Sequence, residues 1–290
     1  MARLPPRPTG FVLVADDFGL TGPVSRAILT LGEAGRLSGA GAMTGLPAFV
    51  PHARAFADLS GTMDLGLHVT LTLGAPLGPM PILAPGGVLP GFRDLARRAL
   101  AARLPGREVE DEIVRQLDAF TAATGRLPDY LDGHQHVHVL PGVRGALFRA
   151  VERLWPAGAP RPWVRDPFET PGAILARGVA TAKAGVIAGL SVGFGRSLSG
   201  RGLAANRGFA GVSPFDPGRD FATDFRRFLL APGPAHLVMV HPGGPDDTEL
   251  ARLDPVVATR PQEFSYLSGP NLLEDLAEAR MRIIRLGDLT

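Results

Sequence analysis

Leu13-Val14-Ala15-Asp16-Asp17-Phe18-Gly19 places two adjacent carboxylates at the end of a short apolar run, where a strand should give way to a loop. Neighbouring side chains on a strand point to opposite faces, so such a pair is poor core material. In an α/β protein the strand end is also where catalytic groups gather, which makes the pair a candidate for dividing metal binding from proton transfer. Asp-Asp before Gly is equally ordinary turn and helix-capping chemistry, and the residues alone leave both readings open.

Working outward, Phe11 to Ala15 reads as a strand. Gly22 to Ala34 reads as a helix, with Val24, Ala27, Ile28 and Leu31 on one face. A second strand is expected around Gly39 to Met43, a helix from Pro47 to Ala57 and a third strand from Met63 to Val69, giving βαβαβ in the first 70 residues. Leu73 to Pro90 is rich in Pro and Gly without periodicity, so a long loop that forms a lid or substrate wall is expected there. Helical patterns return at Phe92 to Ala102 and Arg107 to Ala123. Leu127 to Asp132 then leads into a fourth strand, and Pro141 starts another helix. Trp163 to Arg165, Gly208 to Ala210, Leu237 to Val240 and Arg282 to Arg285 are further strand candidates. Seven or eight βα units favour a parallel sheet with helices outside. The count fits a TIM-like (β/α) barrel, distorted or regular, and an open doubly wound sheet is the alternative. Neither a repeat nor a linker is visible, so a single domain over residues 1–290 is expected.

Composition narrows the partners. Thirty basic against 28 acidic residues leave a net charge of +2 without a basic block, which argues against nucleic acid. The absence of cysteine excludes disulfides, Cys-ligated zinc and thiol chemistry. Met1 to Gly10 carries no apolar leader-like run, so a cytoplasmic location is expected. Ala173 to Phe194 approaches the length of a membrane span, but Arg177 and Lys183 interrupt it. A buried or partner-facing helix is the expectation there, with peripheral membrane contact and a homodimer left open.

Five of the seven histidines fall at strand ends: His68 after the third strand, His134, His136 and His138 after the fourth, and His241 near the C-terminus. Together with Asp16-Asp17, that placement points to a divalent metal site, since one Asp and two His leave a coordination position for water. If Asp132 to His138 stays extended, its three histidines share one side, so one ligand and two supporting roles are feasible. A surface metal-scavenging patch is the alternative, against which the flanking Leu131, Val137, Val139 and Leu140 argue.

These residues resemble the YdjC-like carbohydrate deacetylases, including their chitooligosaccharide and hopanoid-associated branches. The matching signatures are Ala15-Asp16-Asp17-Phe18-Gly19-Leu20, Gly66-Leu67-His68-Val69-Thr70-Leu71-Thr72 with Gly74 and Pro76, Asp132 to His138 with Pro141, and His241-Pro242-Gly243. The chain departs from the family where Val14 and Ser25 replace commonly found asparagines, and residues 173–211 match no diagnostic motif. The resemblance implies a (β/α) barrel related to polysaccharide deacetylases and one divalent ion, Zn²⁺ or Mg²⁺, held by Asp17, His68 and His134. Asp16 is then the base that takes a proton from water on the ion, and His241 the protonated acid that helps the amine leave. His136 and His138 are assigned to orienting His134 or touching sugar. Arg165 is assigned to substrate binding or to orienting Asp16, with a plain surface arginine as the alternative. The implied substrate is an N-acetylated amino sugar, in an oligosaccharide or a glycolipid headgroup. The rivals are a non-catalytic metal- or carbohydrate-binding barrel and a metal-dependent hydrolase of another substrate class. No Walker-type phosphate loop is present.

Overall fold

The computed structural model describes residues 9–289; the leaderless reading of Met1 to Gly10 falls almost wholly outside them. Eight strands occur among the described residues: β1 (Thr9–Phe18), β2 (Gly39–Ala42), β3 (Asp64–Val69), β4 (Tyr130–Gly133), β5 (Trp163–Val164), β6 (Phe209–Ala210), β7 (Leu237–Val240) and β8 (Met281–Ile283). The helices between them are α1 (Gly22–Glu33), α2 (Phe49–Asp58), α3 (Phe92–Leu100), α4 (Gly106–Thr124), α5 (Val143–Leu154), α6 (Pro171–Arg177), α7 (Thr181–Leu190) and α8 (Phe194–Ser199). They continue with α9 (Phe221–Phe228), α10 (Leu250–Leu253), α11 (Arg260–Ser268) and α12 (Asn271–Glu278). Every strand pair is parallel, in the order β5-β4-β3-β2-β1-β7-β6, and β8 pairs with the first residues of β1. The sheet is therefore an α/β half-barrel, curled and parallel. Residues 73–90 hold neither helix nor strand, as their composition predicts.

Strand alternation separates two buried layers. Phe11, Leu13 and Ala15 of β1 join the core between sheet and helices, whereas Val12 and Val14 face the inside with Tyr130, Trp163, Leu237 and Met239. Within that interior, Tyr130 stacks on Trp163 at 4.2 Å between ring centroids and lies over Gly66. A Cβ at residue 66 would stand 2.2 Å from the tyrosine ring, so only glycine lets this layer close.

The two ends of the sheet do not pair as strands. Val164 N–H donates to the Ala204 carbonyl at 2.9 Å, and the Asn206 side chain accepts from Asp166 N–H and donates to the Asp166 carbonyl, each at 2.8 Å. One asparagine amide thus stands in for a strand rung across the seam. On β6 the Phe209 N–H donates to Glu169 and its carbonyl accepts from Arg177, a buried ion pair with 2.9 Å separation. This pairing satisfies an edge that would otherwise be open.

Two expectations are corrected. Residues 173–194 form no continuous helix: Gly178 and Gly193 adopt left-handed φ values of +64° and +76° and divide the region into α6, α7 and α8. Among the described residues no helix is long and apolar enough to cross a membrane. The stretch after β4 is not extended either. His134–Val139 coil into a 3-10 turn with Gln135 and His136 at φ near +54° and +58°, so the three histidines cannot share one side by strand alternation.

Candidate active site

The inward-facing row at the C-terminal ends of the strands carries the chemistry. Two residues beyond Val14, Gly66, Tyr130, Trp163 and Met239 stand Asp16, His68, Asp132, Arg165 and His241. The register supports this alignment, pairing Gly66 with Tyr130, Tyr130 with Trp163, His68 with Asp132 and Val14 with Met239. Because side chains alternate with period two, a strand whose penultimate inward residue packs the interior delivers its last one to the cleft.

Asp17 should by the same rule point away from the cleft, and it does not. Between Ala15 and Phe18 β1 carries one residue more than β2, and Asp17 sits at φ +72°. This bulge breaks the alternation and aims both carboxylates at the same cavity; Asp is one of the few residue types that tolerates that backbone conformation. The expectation that the pair would lie on opposite faces is thereby corrected.

Asp17 Oδ1 lies 3.4 Å from His68 Nε2 and 3.1 Å from His134 Nδ1. Two imidazole nitrogens and one carboxylate oxygen, all buried and within 4.8 Å of one another, are a donor set suited to a divalent cation. On its other side, His68 Nδ1 meets Asp132 at 2.6 Å, which orients the ring and leaves Nε2 for the site. Asp16, His68 and Asp132 form a second such cluster. Arg165 is inserted between its two carboxylates, contacting Asp16 at 2.5 and 2.7 Å and Asp132 at 2.6 Å, so the first cluster is the better cation site.

The surrounding electrostatics follow from burial opposed by close charges. Burial disfavours ionised Asp17, but the Arg260 guanidinium at 2.7 Å and hydrogen bonds from His134 and His68 outweigh it and hold the carboxyl well below its usual range. For His68 burial also works against charge, yet Asp132 and Asp16 dominate and raise its pKa to about 10. A cation held by Asp17, His68 and His134 would take over the charge balance that this proton provides, and its binding would release the proton. His241 Nε2 stands 3.9 Å from Asp16 Oδ2, and burial lowers its pKa to about 4 despite Asp17 and Asp16. A pKa lowered in this way favours the neutral imidazole, so a role as the acid requires that His241 first gain a proton.

The remaining sequence candidates separate cleanly. His136 lines the cavity edge-on to Phe209, and burial, with the Arg165 guanidinium next, drives its pKa well down. His138 is fully buried and is not among the residues lining the cavity, and its Nε2 lies in hydrogen-bond contact with the Arg165 carbonyl at 2.9 Å, just beyond β5. Arg165 is completely buried and fixes Asp16, which rules out the surface reading. Sequence reasoning missed Arg260, which reaches Asp17 from α11, and the bridging role of Asp132. It also missed Glu263, whose carboxylate accepts the His241 backbone N–H at 2.6 Å. Arg260 and Glu263 sit on a helix with no motif to mark them.

The cavity measures about 490 Å³ and is lined by Asp16, Asp17, His68, His134, His136 and His241 on one side. Apolar residues including Phe92, Leu140, Val186, Ile187 and Phe215 form the other.

Comparison with known proteins agrees with this geometry. The family model described as YdjC-like protein matches residues 11–278. The chitooligosaccharide deacetylase of Serratia marcescens is 35% identical over 133 residues, 46% of this chain and 51% of that protein. The carbohydrate deacetylase of Mus musculus is 37% identical over 142 residues, covering 46% and 44% respectively. The chain thus spans about half the length of the curated relatives it matches. A solved structure from Enterococcus faecalis V583, called a "putative cellobiose-phosphate cleavage protein", shares the fold. It has a TM-score of 0.71 at 17% identity, over 98% of this chain and 99% of that one.

Proposed function

Because the chain belongs to the YdjC-like protein family, we propose that it is a metal-dependent carbohydrate deacetylase, which hydrolyses the acetamide of an N-acetylated amino sugar. The observation that carries this reading is the convergence of Asp17, His68 and His134 beside an Arg165-held Asp16, with His241 facing that carboxylate. The similarity to curated deacetylases supports the carbohydrate substrate, and the core between sheet and helices, to which every strand contributes, supports the reading of one barrel domain over residues 1–290.

A divalent cation held by Asp17, His68 and His134 would acidify water and polarise the acetamide carbonyl. Two imidazoles in the donor set favour Zn²⁺ over Mg²⁺, which prefers oxygen ligands. Asp16, fixed by two guanidinium contacts, accepts the proton as the water oxygen attacks the carbonyl carbon. His241, neutral at rest, is placed to receive that proton from the Asp16 side and pass it to the nitrogen as the C–N bond breaks. Acetic acid, which gives up its proton to solvent on release, and the free amine leave, and both side chains return to their starting protonation. His136 and the apolar wall bound the sugar and its aglycone.

Acetate release from a panel of N-acetylated sugars, read beside metal content, tests the reading. Asp17→Asn should lose bound metal, whereas Asp16→Asn should keep it and slow turnover by about a hundredfold or more. No acetate from metal-loaded wild type on any sugar, with Asp16→Asn indistinguishable from it, would leave a metal- or sugar-binding barrel as the better description.

A further inference from the structure

The two oxygens of Asp17 face different partners. Oδ1 is turned toward His68 Nε2 at 3.4 Å and His134 Nδ1 at 3.1 Å, whereas Oδ2 accepts a hydrogen bond from Arg260 Nη2 at 2.7 Å. Asp17 and Arg260 are each 1% exposed, so bulk water does not compete for that bond. A carboxylate gives a divalent cation one oxygen or both, and whatever occupies its second oxygen decides between the two.

Arg260 is held more firmly than an ion pair with Asp17 requires. It opens α11, and its carbonyl accepts the Gly243 N–H at 3.1 Å. Its Nε donates to the Val256 carbonyl at 2.8 Å, and the Asp254 carboxylate stands 3.6 Å from the same Nη2 that holds Asp17. Its stem packs on Gly243, where a Cβ would come within 3.0 Å of the Arg260 Cβ. A planar guanidinium fixed at backbone, stem and Nε presents Nη2 at one place, so it does not follow the carboxylate if that group turns toward a cation.

Two imidazoles and both Asp17 oxygens would fill the four positions of a tetrahedral site, whereas two imidazoles and one oxygen leave a position open. We infer that Arg260 is a positioning residue: it reserves Oδ2 of Asp17, limits that ligand to one oxygen and so keeps a coordination position free. This role rests on the cation site of the proposed function and on no particular substrate. Arg260 and Asp132 then act in opposite directions. Asp132 sets a negative charge behind His68 and tightens the hold on a cation, while Arg260 sets a positive charge behind Asp17 and loosens it.

Metal binding and spectroscopy test this without turnover. A crystal structure of zinc-loaded wild type should show Asp17 Oδ1 alone on the ion and Oδ2 still on Arg260. Arg260→Met frees Oδ2, so the visible absorption of its cobalt(II) form should differ from that of wild type as the second oxygen joins the ion. In chelator competition the variant should hold zinc at least as tightly as wild type and up to about tenfold more tightly, because a ligand oxygen is gained and a repelling charge lost. Its kcat should fall by about tenfold or more. Both Asp17 oxygens on zinc in wild type overturns the inference, and that measurement stands even where the variant does not fold. An unchanged cobalt spectrum in Arg260→Met, or weaker zinc binding, overturns it as well, since Arg260 would then only brace the fold. Wild type that takes up neither ion ends the cation site and this role together. Zinc bound through one Asp17 oxygen without acetate from any sugar would sink the deacetylase reading and leave the role of Arg260 standing.

Discussion

At the scale of single residues, Arg165 is the group on which the site's geometry depends most. It is wholly buried and compensates two buried carboxylates, Asp16 and Asp132, with one guanidinium. Arg165→Met would strand both charges, and breaking a buried pair of this kind costs about 3–5 kcal/mol, a loss that urea or thermal unfolding should resolve. Arg165→Lys keeps a charge but lacks the planar fork that spans Asp16 and Asp132 together. It should retain the fold and metal content while kcat falls; kcat equal to wild type would show that Asp16 needs no positioning. Asp132 carries a second residue-level prediction. It holds the His68 ring through Nδ1, so Asp132→Asn removes both the orienting charge and its field at the ligand. Metal affinity measured by chelator competition should weaken by about 10–100-fold, in line with the loss of such ligand-orienting partners.

At the scale of elements, the difference between β1 and α7 explains which parts were readable in advance. Val14, Gly66, Tyr130, Trp163 and Met239 are each followed two positions on by a residue of the cleft, and the places of Asp16, His68 and His241 at strand ends were legible in the sequence. The backbone conformation of Asp17, Gln135 and His136 was not, because a left-handed φ there is carried by residues that do not announce it as glycine would. The bulge at Asp17 and the turn after β4 are therefore tertiary choices, made where Asp17, His68 and His134 converge. Arg260 was hidden for another reason: it is 243 positions from Asp17, and only the packing of α11 against the barrel mouth brings them together. Glycine substitutions make the contrast between these elements measurable. Gly66→Ala should drive a methyl into the Tyr130 ring and destabilise by about 1–3 kcal/mol, as overpacking of a closed layer does. Gly185→Ala in the middle of α7 meets nothing within 4 Å and should instead stabilise by about 0.5–1 kcal/mol through lost chain entropy. Thermal melts of the two variants should move in opposite directions, and a fall in both would show that α7 needs its glycine for a contact the helix does not display.

For the whole molecule, the question is how a parallel sheet with only two residues in each edge strand stays curled around a cleft. A closed barrel removes its edges by pairing them, whereas here the Asn206 amide, the Asp166 backbone and the Glu169–Arg177 pair complete the ring. Periodicity announces strands and helices but carries no trace of a rung made by a side chain, which is why the seam was invisible in the sequence while the parallel α/β class was not. The seam also holds a titratable group. Asp166 is buried there, and burial pushes its carboxyl up to about 6, against the hydrogen bonds from the Phe168 and Gly195 backbone and the field of Arg144. A carboxyl whose folded pKa exceeds its unfolded value of 3.8 contributes stability that is present below about pH 4 and lost as pH rises through about 6. A shift of this size corresponds to about 3 kcal/mol at full ionisation. Asp166→Asn keeps an oxygen to accept the Phe168 N–H and cannot ionise. Its unfolding free energy relative to wild type should therefore rise by up to about 3 kcal/mol between about pH 4 and pH 8, because every other titrating group is common to both proteins and cancels. A constant difference across that range would mean that the seam opens enough to hydrate the carboxylate, and with it that Asn206 does not hold β5 against residues 204–208 in solution.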